Sequence, residues 1–93
     1  MEEILSIYTE LPSEEGERYR VRYCLWEERD GEERVYGIRS CVEGSYQRPY
    51  QKYCSPGIFG CRQVAQAALE YLAEHGVMPA HTEEILQEVI LCT

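Results

Sequence analysis

The residues of this chain that could bind a metal ion are its cysteines and histidines, which number five and two. The candidate ligands lie in the second half of the sequence: Cys54, Cys61, Cys92, His75 and His81. None of them has the short spacing between cysteines that is typical of structural zinc sites. We therefore expect no metal and no cofactor. We interpret these residues as free, mostly buried thiols and as histidines at helix ends.

A cysteine nucleophile is a second possible chemistry, because Cys61 precedes a predicted helix and helix N-termini favour thiolates. His81 lies on the next predicted helix and is the candidate base. A catalytic cysteine also needs a group that orients its base, and no spacing in the sequence supplies one. We expect Cys61 only to pack, and the sequence predicts no catalytic residues and no enzyme.

A glycine-containing loop before the same helix invites a phosphate-binding interpretation, since free N–H groups at a helix start attract anions. Its sequence is Gly57-Ile58-Phe59-Gly60. It lacks both the Lys-Ser/Thr of a P-loop and the full dinucleotide-binding fingerprint. We interpret it as a connecting loop.

The most distinctive surface feature is an arginine-rich sheet face. Arg18, Arg20, Arg22 and Trp26 alternate along one predicted strand, and Arg39 joins them from the next strand. We call these five residues the arginine face. Arginine and aromatic residues are common anchors of protein interfaces. The simpler interpretation is a solvated face whose arginines pair with acids on neighbouring strands, which contributes little energy.

Our leading hypothesis is a small, non-enzymatic protein–protein interaction module. It would associate through the arginine face or an edge strand, as a homodimer or with an acidic protein partner. The alternative hypothesis is a small-anion or ligand-binding domain that uses Arg20, Arg22 and Arg39. An enzyme with Cys61 as nucleophile ranks third.

Charge is unevenly distributed along the chain, which has a net charge of −8. All nine basic residues lie within residues 18–62, where six acidic residues accompany them. Six acidic residues precede this segment and five follow it, with no basic residue in either flank. Because nucleic acids and anionic membranes attract positive fields, we expect neither as a partner.

The expected location is the cytoplasm. No apolar run approaches the roughly 20 residues that a membrane helix needs. The sequence Met1-Glu2-Glu3 lacks the basic region with which a signal peptide begins. With 93 residues, 44% hydrophobic and 28% charged, the chain is predicted to form one domain, residues 1–93.

The fold is predicted around a β-hairpin. In residues 18–26 apolar and polar side chains alternate strictly, which is typical of a half-buried strand. Asp30-Gly31 is the dipeptide preferred in a two-residue type I′ turn. Pairing outward from it places the apolar faces of the two strands opposite one another, with the pairs Leu25 and Tyr36, Tyr23 and Ile38, Val21 and Ser40, and Tyr19 and Val42. On the other side it pairs Trp26 with Val35, Cys24 with Gly37, Arg22 with Arg39 and Glu28 with Glu33. The Trp26 indole then has room to lie across Gly37.

The flanking segments complete an α+β fold. Residues 3–11 predict a first strand, and residues 46–54 predict a weaker strand at a sheet edge because Pro49 interrupts them. Residues 61–75 predict a helix with an apolar stripe: Cys61, Val64, Ala65, Ala68, Leu69 and Leu72. Gly76 is placed to end it, and Pro79 to start a second helix, with Thr82 as the alternative start. We expect an antiparallel meander of three to four strands, with both helices packed on one face.

The chain resembles a family of small uncharacterised proteins from anaerobic Firmicutes. The resemblance is carried by Tyr36-Gly37-Ile38 in the strand pair and by Pro79-Ala80-His81 at the start of the second helix. It extends over most of the chain from about Arg18, although the ending of the last helix, at residues 88–91, departs from the family pattern. Such families have no assigned activity, so the resemblance implies a fold and not a function.

Overall fold

The structure is a computed structural model that describes residues 2–12, 18–43 and 52–91. Four strands come first: β1 (Glu2–Pro12), β2 (Arg18–Asp30), β3 (Glu33–Glu43) and β4 (Lys52–Cys54). Two helices follow: α1 (Arg62–Glu74) and α2 (Pro79–Leu91). The strands form one antiparallel sheet in the order β1-β2-β3-β4. This confirms the predicted α+β meander with two C-terminal helices. No helix in the described part of the chain is long and apolar enough to span a membrane.

The hairpin turn lies one residue later than the sequence predicts. Asp30 is the last residue of β2 and pairs with Glu33, so the two turn residues are Gly31 and Glu32. Gly31 has φ of 66°, and no described residue other than glycine has a positive φ. Positive φ at the first turn position alone is the pattern of a type II′ turn. A type I′ turn would have forced Asp30 into a left-handed conformation that glycine adopts without steric cost.

The later turn shifts the strand pairing by two residues. The observed pairs are Leu25 with Ile38, Tyr23 with Ser40, Val21 with Val42, and Trp26 with Gly37. The predicted partners were therefore wrong. The faces are unchanged, because side chains alternate with a period of two and a two-residue shift returns each one to the same side.

The unfavourable like-charge pairs expected on the outer face are also displaced. Arg22 and Glu28 lie opposite uncharged residues of β3, whereas the like-charge pairs that do form are at the hairpin end: Arg29 with Arg34 and Asp30 with Glu33. All four of those residues are exposed. Water screens them there, so their repulsion costs less than it would at the sheet centre.

The helices cover the sheet face that the alternation predicts. Val21, Tyr23, Leu25 and Ile38 are each 0% exposed. The Tyr23 hydroxyl donates a hydrogen bond of 2.9 Å to the Val77 carbonyl between the two helices. Burial raises the pKa of Tyr23 to about 12. This bond attaches the connection between α1 and α2 directly to the central strand.

The end of α1 confirms the role predicted for Gly76. Its φ is 58°, in the left-handed region that favours glycine. The N–H of Val77 donates to the Leu72 carbonyl at 3.0 Å, and the N–H of Gly76 donates to the Ala73 carbonyl at 3.3 Å. These two bonds form a Schellman motif and satisfy carbonyl groups that the last helical turn leaves free.

The second helix begins at Pro79 and not at the alternative start, Thr82. Pro79 occupies the first helical position, where its missing N–H is not needed. Thr82 is fully buried, and its hydroxyl donates to the Met78 carbonyl at 3.0 Å. The threonine therefore satisfies its own polar group inside the helix.

The outer face of the sheet is also buried at its centre, which the sequence did not predict. Trp26 is 3% exposed although it points away from the helices. Its indole ring lies across Gly37, as predicted, although this glycine is directly opposite Trp26 on β3 and not opposite Cys24. The backbone at Gly57 packs against Val35 and the far edge of the same ring. β2 is thus covered on both faces.

The loop after β4 carries the chain over this tryptophan. Ser55 donates its N–H to the Ile38 carbonyl at 2.8 Å. Further along, Tyr36 and Phe59 exchange two backbone hydrogen bonds of 2.8 and 3.1 Å. The residues between these two attachments, including Gly57, leave the sheet edge and fold onto the outer face.

We expect Gly37→Ala to lower the free energy of unfolding by about 1–3 kcal/mol, because overpacking a core forces neighbours to move. A Cβ atom at position 37 would lie 2.1 Å from Cζ2 of the rigid, buried Trp26 ring. Gly60→Ala is the matched control, since a Cβ there meets nothing within 4 Å. Urea denaturation of both variants measures the difference. Equal stabilities would show that the indole does not require a glycine opposite it.

Candidate functional site

The arginine face lies on the side of the sheet away from the helices. Arg20 and Arg22 on β2 and Arg39 on β3 share that side, as the alternation predicts. Trp26 shares it too, but is almost fully buried and is not available as an exposed anchor. Arg18 pairs with Pro12 at the end of β2, and its side chain lies outside the described part of the structure.

Acidic residues of the same sheet neutralise these arginines. Arg20 forms an ion pair of 3.0 Å with Glu43, and its guanidinium lies 4.8 Å from the centre of the Tyr8 ring. Arg22 and Arg39 both pair with one carboxylate, that of Glu3. The Arg39–Glu3 distance is 3.6 Å. Any anion that bound here would have to compete with carboxylates already in place.

Glu3 is the residue of this face that sequence reasoning missed. Its carboxylate accepts a 3.0 Å hydrogen bond from Ser6 in addition to its two arginine partners. Burial alone would raise the pKa of Glu3, but the hydrogen bond from Ser6 and the charge of Arg22 outweigh it and lower the pKa. A bulge between Glu3 and Leu5 interrupts the alternation of β1. Because of this bulge, the sequence pattern of β1 does not show on which side of the sheet Glu3 lies.

The Glu3 carboxylate also contacts the buried thiol of Cys24. Burial, followed by the negative charge of Glu3, raises the pKa of Cys24 to about 11. Only 1% of the residue is exposed. The thiol is therefore protonated at neutral pH and acts as a small apolar group.

The other cysteines do not follow the expectation of mostly buried thiols. Cys54 and Cys61 are exposed and Cys41 is half-buried, all of them free, whereas Cys92 lies outside the described residues. Cys61 caps α1 without a side-chain hydrogen bond. The expectation was wrong because position 61 precedes the helix and does not share its buried side.

The histidines are both exposed at the ends of the helix connection. The His75 ring stacks on Tyr71 with 4.1 Å between ring centres, and its Nδ1 lies 2.9 Å from the Tyr71 carbonyl oxygen. Cys61 and His81 are both exposed, and no hydrogen bond joins these two described residues. Among the residues that the structure describes, no group of three or more His, Cys, Asp or Glu side chains is arranged to hold a metal ion.

The structure brings together a second surface feature, an apolar groove on the helix layer. We call it the helix groove, and the residues that line it come from both helices: Gln63, Val64, Ala67, Ala68, Tyr71 and Val89. Its volume is about 340 Å³. Val64 is 40% exposed and Tyr71 is 42% exposed, so two large apolar side chains meet water there. A depression of similar size at the hairpin end is lined by charged residues: Glu2, Glu27, Glu28, Arg29 and Arg34.

The sequence of α1 contains a second apolar pattern, which the prediction of one apolar stripe overlooked. Val64, Ala67, Ala68 and Tyr71 are spaced i, i+3, i+4 and i+7, which is one face of a helix. The prediction assigned Val64 to the buried stripe, and this was wrong. Leu69 and Leu72 belong to a different face that packs on the sheet. α1 therefore has two apolar faces, of which the sheet covers one.

We expect Glu3→Gln to lower the free energy of unfolding at pH 7 by about 0.5–1 kcal/mol, because two partly exposed ion pairs are lost. The lowered pKa of Glu3 gives stability that is present above the ordinary glutamate pKa of about 4.3 and is lost as the pH falls through the folded-state value. The difference from wild type should therefore shrink in acid. Glu32→Gln in the exposed turn is the control. A deficit that stays constant with pH would contradict the electrostatic origin.

Native alkylation should distinguish the thiols. We expect iodoacetamide at mildly alkaline pH to modify Cys54 and Cys61, while Cys24 stays unmodified until the protein is denatured. The pKa of about 11 and the 1% exposure both oppose reaction at Cys24. Peptide mass spectrometry reads out each site. Modification of native Cys24 as fast as Cys54 would show that the outer face opens readily.

The family of the chain follows from comparison with known proteins. A model described as a family of unknown function (DUF6514) matches residues 2–91, from the start of β1 to the end of α2. No curated protein and no solved structure matches the chain. The resemblance to a family without an assigned activity is thus confirmed at that level, and the match includes the sheet, the arginine face and the helix groove. The chain belongs to the family of unknown function DUF6514.

Proposed function

We propose that this protein is a non-enzymatic protein–protein interaction module that binds its partner through the helix groove. The observation that carries the proposal is the exposure of Val64 and Tyr71 side by side in an apolar depression. Single exposed apolar residues are normal on protein surfaces, whereas two that share one depression leave apolar surface that a partner could cover. Covering each side chain would contribute about 1 kcal/mol, since each is already more than half buried.

The arginine face ranks second as a site. Its arginines are engaged by Glu3 and Glu43, and its tryptophan is covered by the loop at Gly57. An acidic partner or a small anion would first have to displace these carboxylates, and the ion pairs that are broken would offset the new ones. Binding at Arg20, Arg22 and Arg39 stays a prediction, with less support than the helix groove.

Association of two copies through an edge strand is the other form of this proposal. β1 is eleven residues long and lies at one end of the sheet order, so a partner strand could add to it. All three of its charged residues, Glu2, Glu3 and Glu10, are acidic. Antiparallel pairing of two such strands brings like charges together, which opposes a homodimer by this route.

The predictions about the class of partner, the cellular location, the source and enzymatic activity are part of this proposal. The net charge of −8 supports a partner that is neither nucleic acid nor membrane. A cytoplasmic location and a source among anaerobic Firmicutes stay predictions from the sequence. The enzyme hypothesis makes a separate demand: Cys61 must react with iodoacetamide much faster than Cys54, its exposed counterpart. We expect similar rates at the two thiols.

Selection from a displayed library of random peptides tests the proposal without a known partner. We expect the full chain to enrich peptides whose binding is lost in the double variant Val64→Gln/Tyr71→Gln. Both substitutions keep the charge, and both positions are exposed, so folding should be affected little. Circular dichroism checks that the variant is folded.

Ile58→Gln is the matched control for that selection, because Ile58 is 40% exposed like Val64 but lies outside the helix groove. It should retain the binding of every peptide that the double variant loses. The proposal fails if no peptide is enriched, or if the enriched peptides bind the double variant as well as the wild type.

A further inference from the structure

The helix layer around the groove carries acidic side chains almost without compensation. Arg62 is the last lysine or arginine of the sequence. The exposed charges of the two helices are otherwise five glutamates: Glu70, Glu74, Glu83, Glu84 and Glu88. None of the five forms an ion pair with a basic residue in the described part of the chain. This contrasts with the outer face of the sheet, where arginines and carboxylates are paired.

Four of these glutamates are exposed on the two helices that line the helix groove. On α1, Glu70 and Glu74 are three and seven residues beyond Ala67, a lining residue, and so follow the same side of the helix. On α2, which contributes Val89 to the lining, Glu84 and Glu88 are exposed and lie one helical turn apart. The exposed charges around the apolar depression are therefore mostly acidic on both helices, and we call these four glutamates the acidic rim.

We infer that the partner segment is an amphipathic helix with an apolar stripe that fills the groove and with lysine or arginine on its flanks. This rests on the proposed function and adds the chemistry of the partner. Basic flanks would complement the four glutamates that are solvated in the free protein. A second copy of this chain is a poor occupant, because it would bring an equally acidic helix layer against the rim.

The shape of the groove favours a helix over an extended strand. Its lining on α1 runs from Gln63 to Tyr71, about 12 Å or two helical turns. Backbone groups within α1 and α2 are already bonded inside each helix, so the groove offers no ladder for strand addition. A helix needs only side-chain contacts, and its i, i+3, i+4 and i+7 positions would match a depression of this length.

Three synthetic peptides test the inference. Each has about 16 residues, enough for four helical turns, with the same leucine stripe, and the other positions are mostly lysine, glutamine or glutamate. Fluorescence anisotropy gives the dissociation constant of each peptide for the full chain. We expect the lysine peptide to bind roughly tenfold tighter than the glutamine peptide at about 0.05 M salt, and most of that advantage to disappear at about 0.5 M.

Two variants assign the effect to the groove and to its rim. Val64→Gln/Tyr71→Gln should abolish binding of the lysine and glutamine peptides, whereas Ile58→Gln should leave both unchanged. Replacing Glu70, Glu74, Glu84 and Glu88 by glutamine should remove the preference for lysine and leave the glutamine peptide unaffected.

The possible failures are distinguishable. Equal affinities for all three peptides, all lost in the groove double variant, would overturn the basic partner and leave the proposed function intact. Lysine-peptide binding that the double variant retains would overturn the inference as non-specific charge attraction. If none of the three peptides binds, both the proposed function and the basic partner are overturned. A dimer seen by light scattering that the double variant dissociates would identify a second copy as the occupant and also overturn the basic partner.

Discussion

The contact between the Trp26 indole and Gly37 is the constraint on which the arrangement of this sheet depends. A Cβ at position 37 would lie 2.1 Å from the ring, so only glycine permits the ring to lie there. The hairpin can pair in registers that differ by two residues without moving any side chain to the other face. In the register predicted from the sequence, Trp26 would face the branched side chain of Val35. The observed register gives the tryptophan a glycine and the turn a glycine at its positive-φ position.

These two glycines explain which parts of the fold the sequence could predict. Alternation assigns Tyr23 and Leu25 to the core because it depends only on odd and even positions. It cannot choose between registers that share those positions. Gly76 and Pro79 were predicted correctly because each acts through its own backbone: one adopts positive φ, and the other lacks an N–H. The burial of Trp26 depends on the loop at Gly57, far along the chain, and no local pattern in the strand predicts that contact.

The same distinction holds for the candidate sites. Arg20, Arg22 and Arg39 could be placed on one face because a strand pattern determines the face. Their common partner, Glu3, could not, because a bulge in β1 disrupts the alternation beside it. The helix groove could be predicted only in part. Its residues follow a helical spacing, but α1 has two apolar faces and the spacing does not show which one is buried. The sheet covers the face that carries Leu69 and Leu72 and leaves Val64 and Tyr71 exposed, a choice that depends on tertiary packing and not on the helical spacing.

The sheet and the helix layer differ in how their charges are paired, and this difference favours the helix layer as the surface that a charged partner approaches. On the sheet, carboxylates of β1 and β3 lie against arginines of β2 and β3, and such pairs cancel over distances longer than their separation. On the helices, glutamates face solvent without basic neighbours in the described structure, so their field extends to about the Debye length, roughly 8 Å at physiological salt. Because these glutamates lie on the two helices that line the groove, a cationic segment would be attracted to the same layer where apolar surface remains to be covered. Charge would then guide the encounter and the apolar contact would hold the complex, since screened rim charges affect association rates more than they affect final affinity.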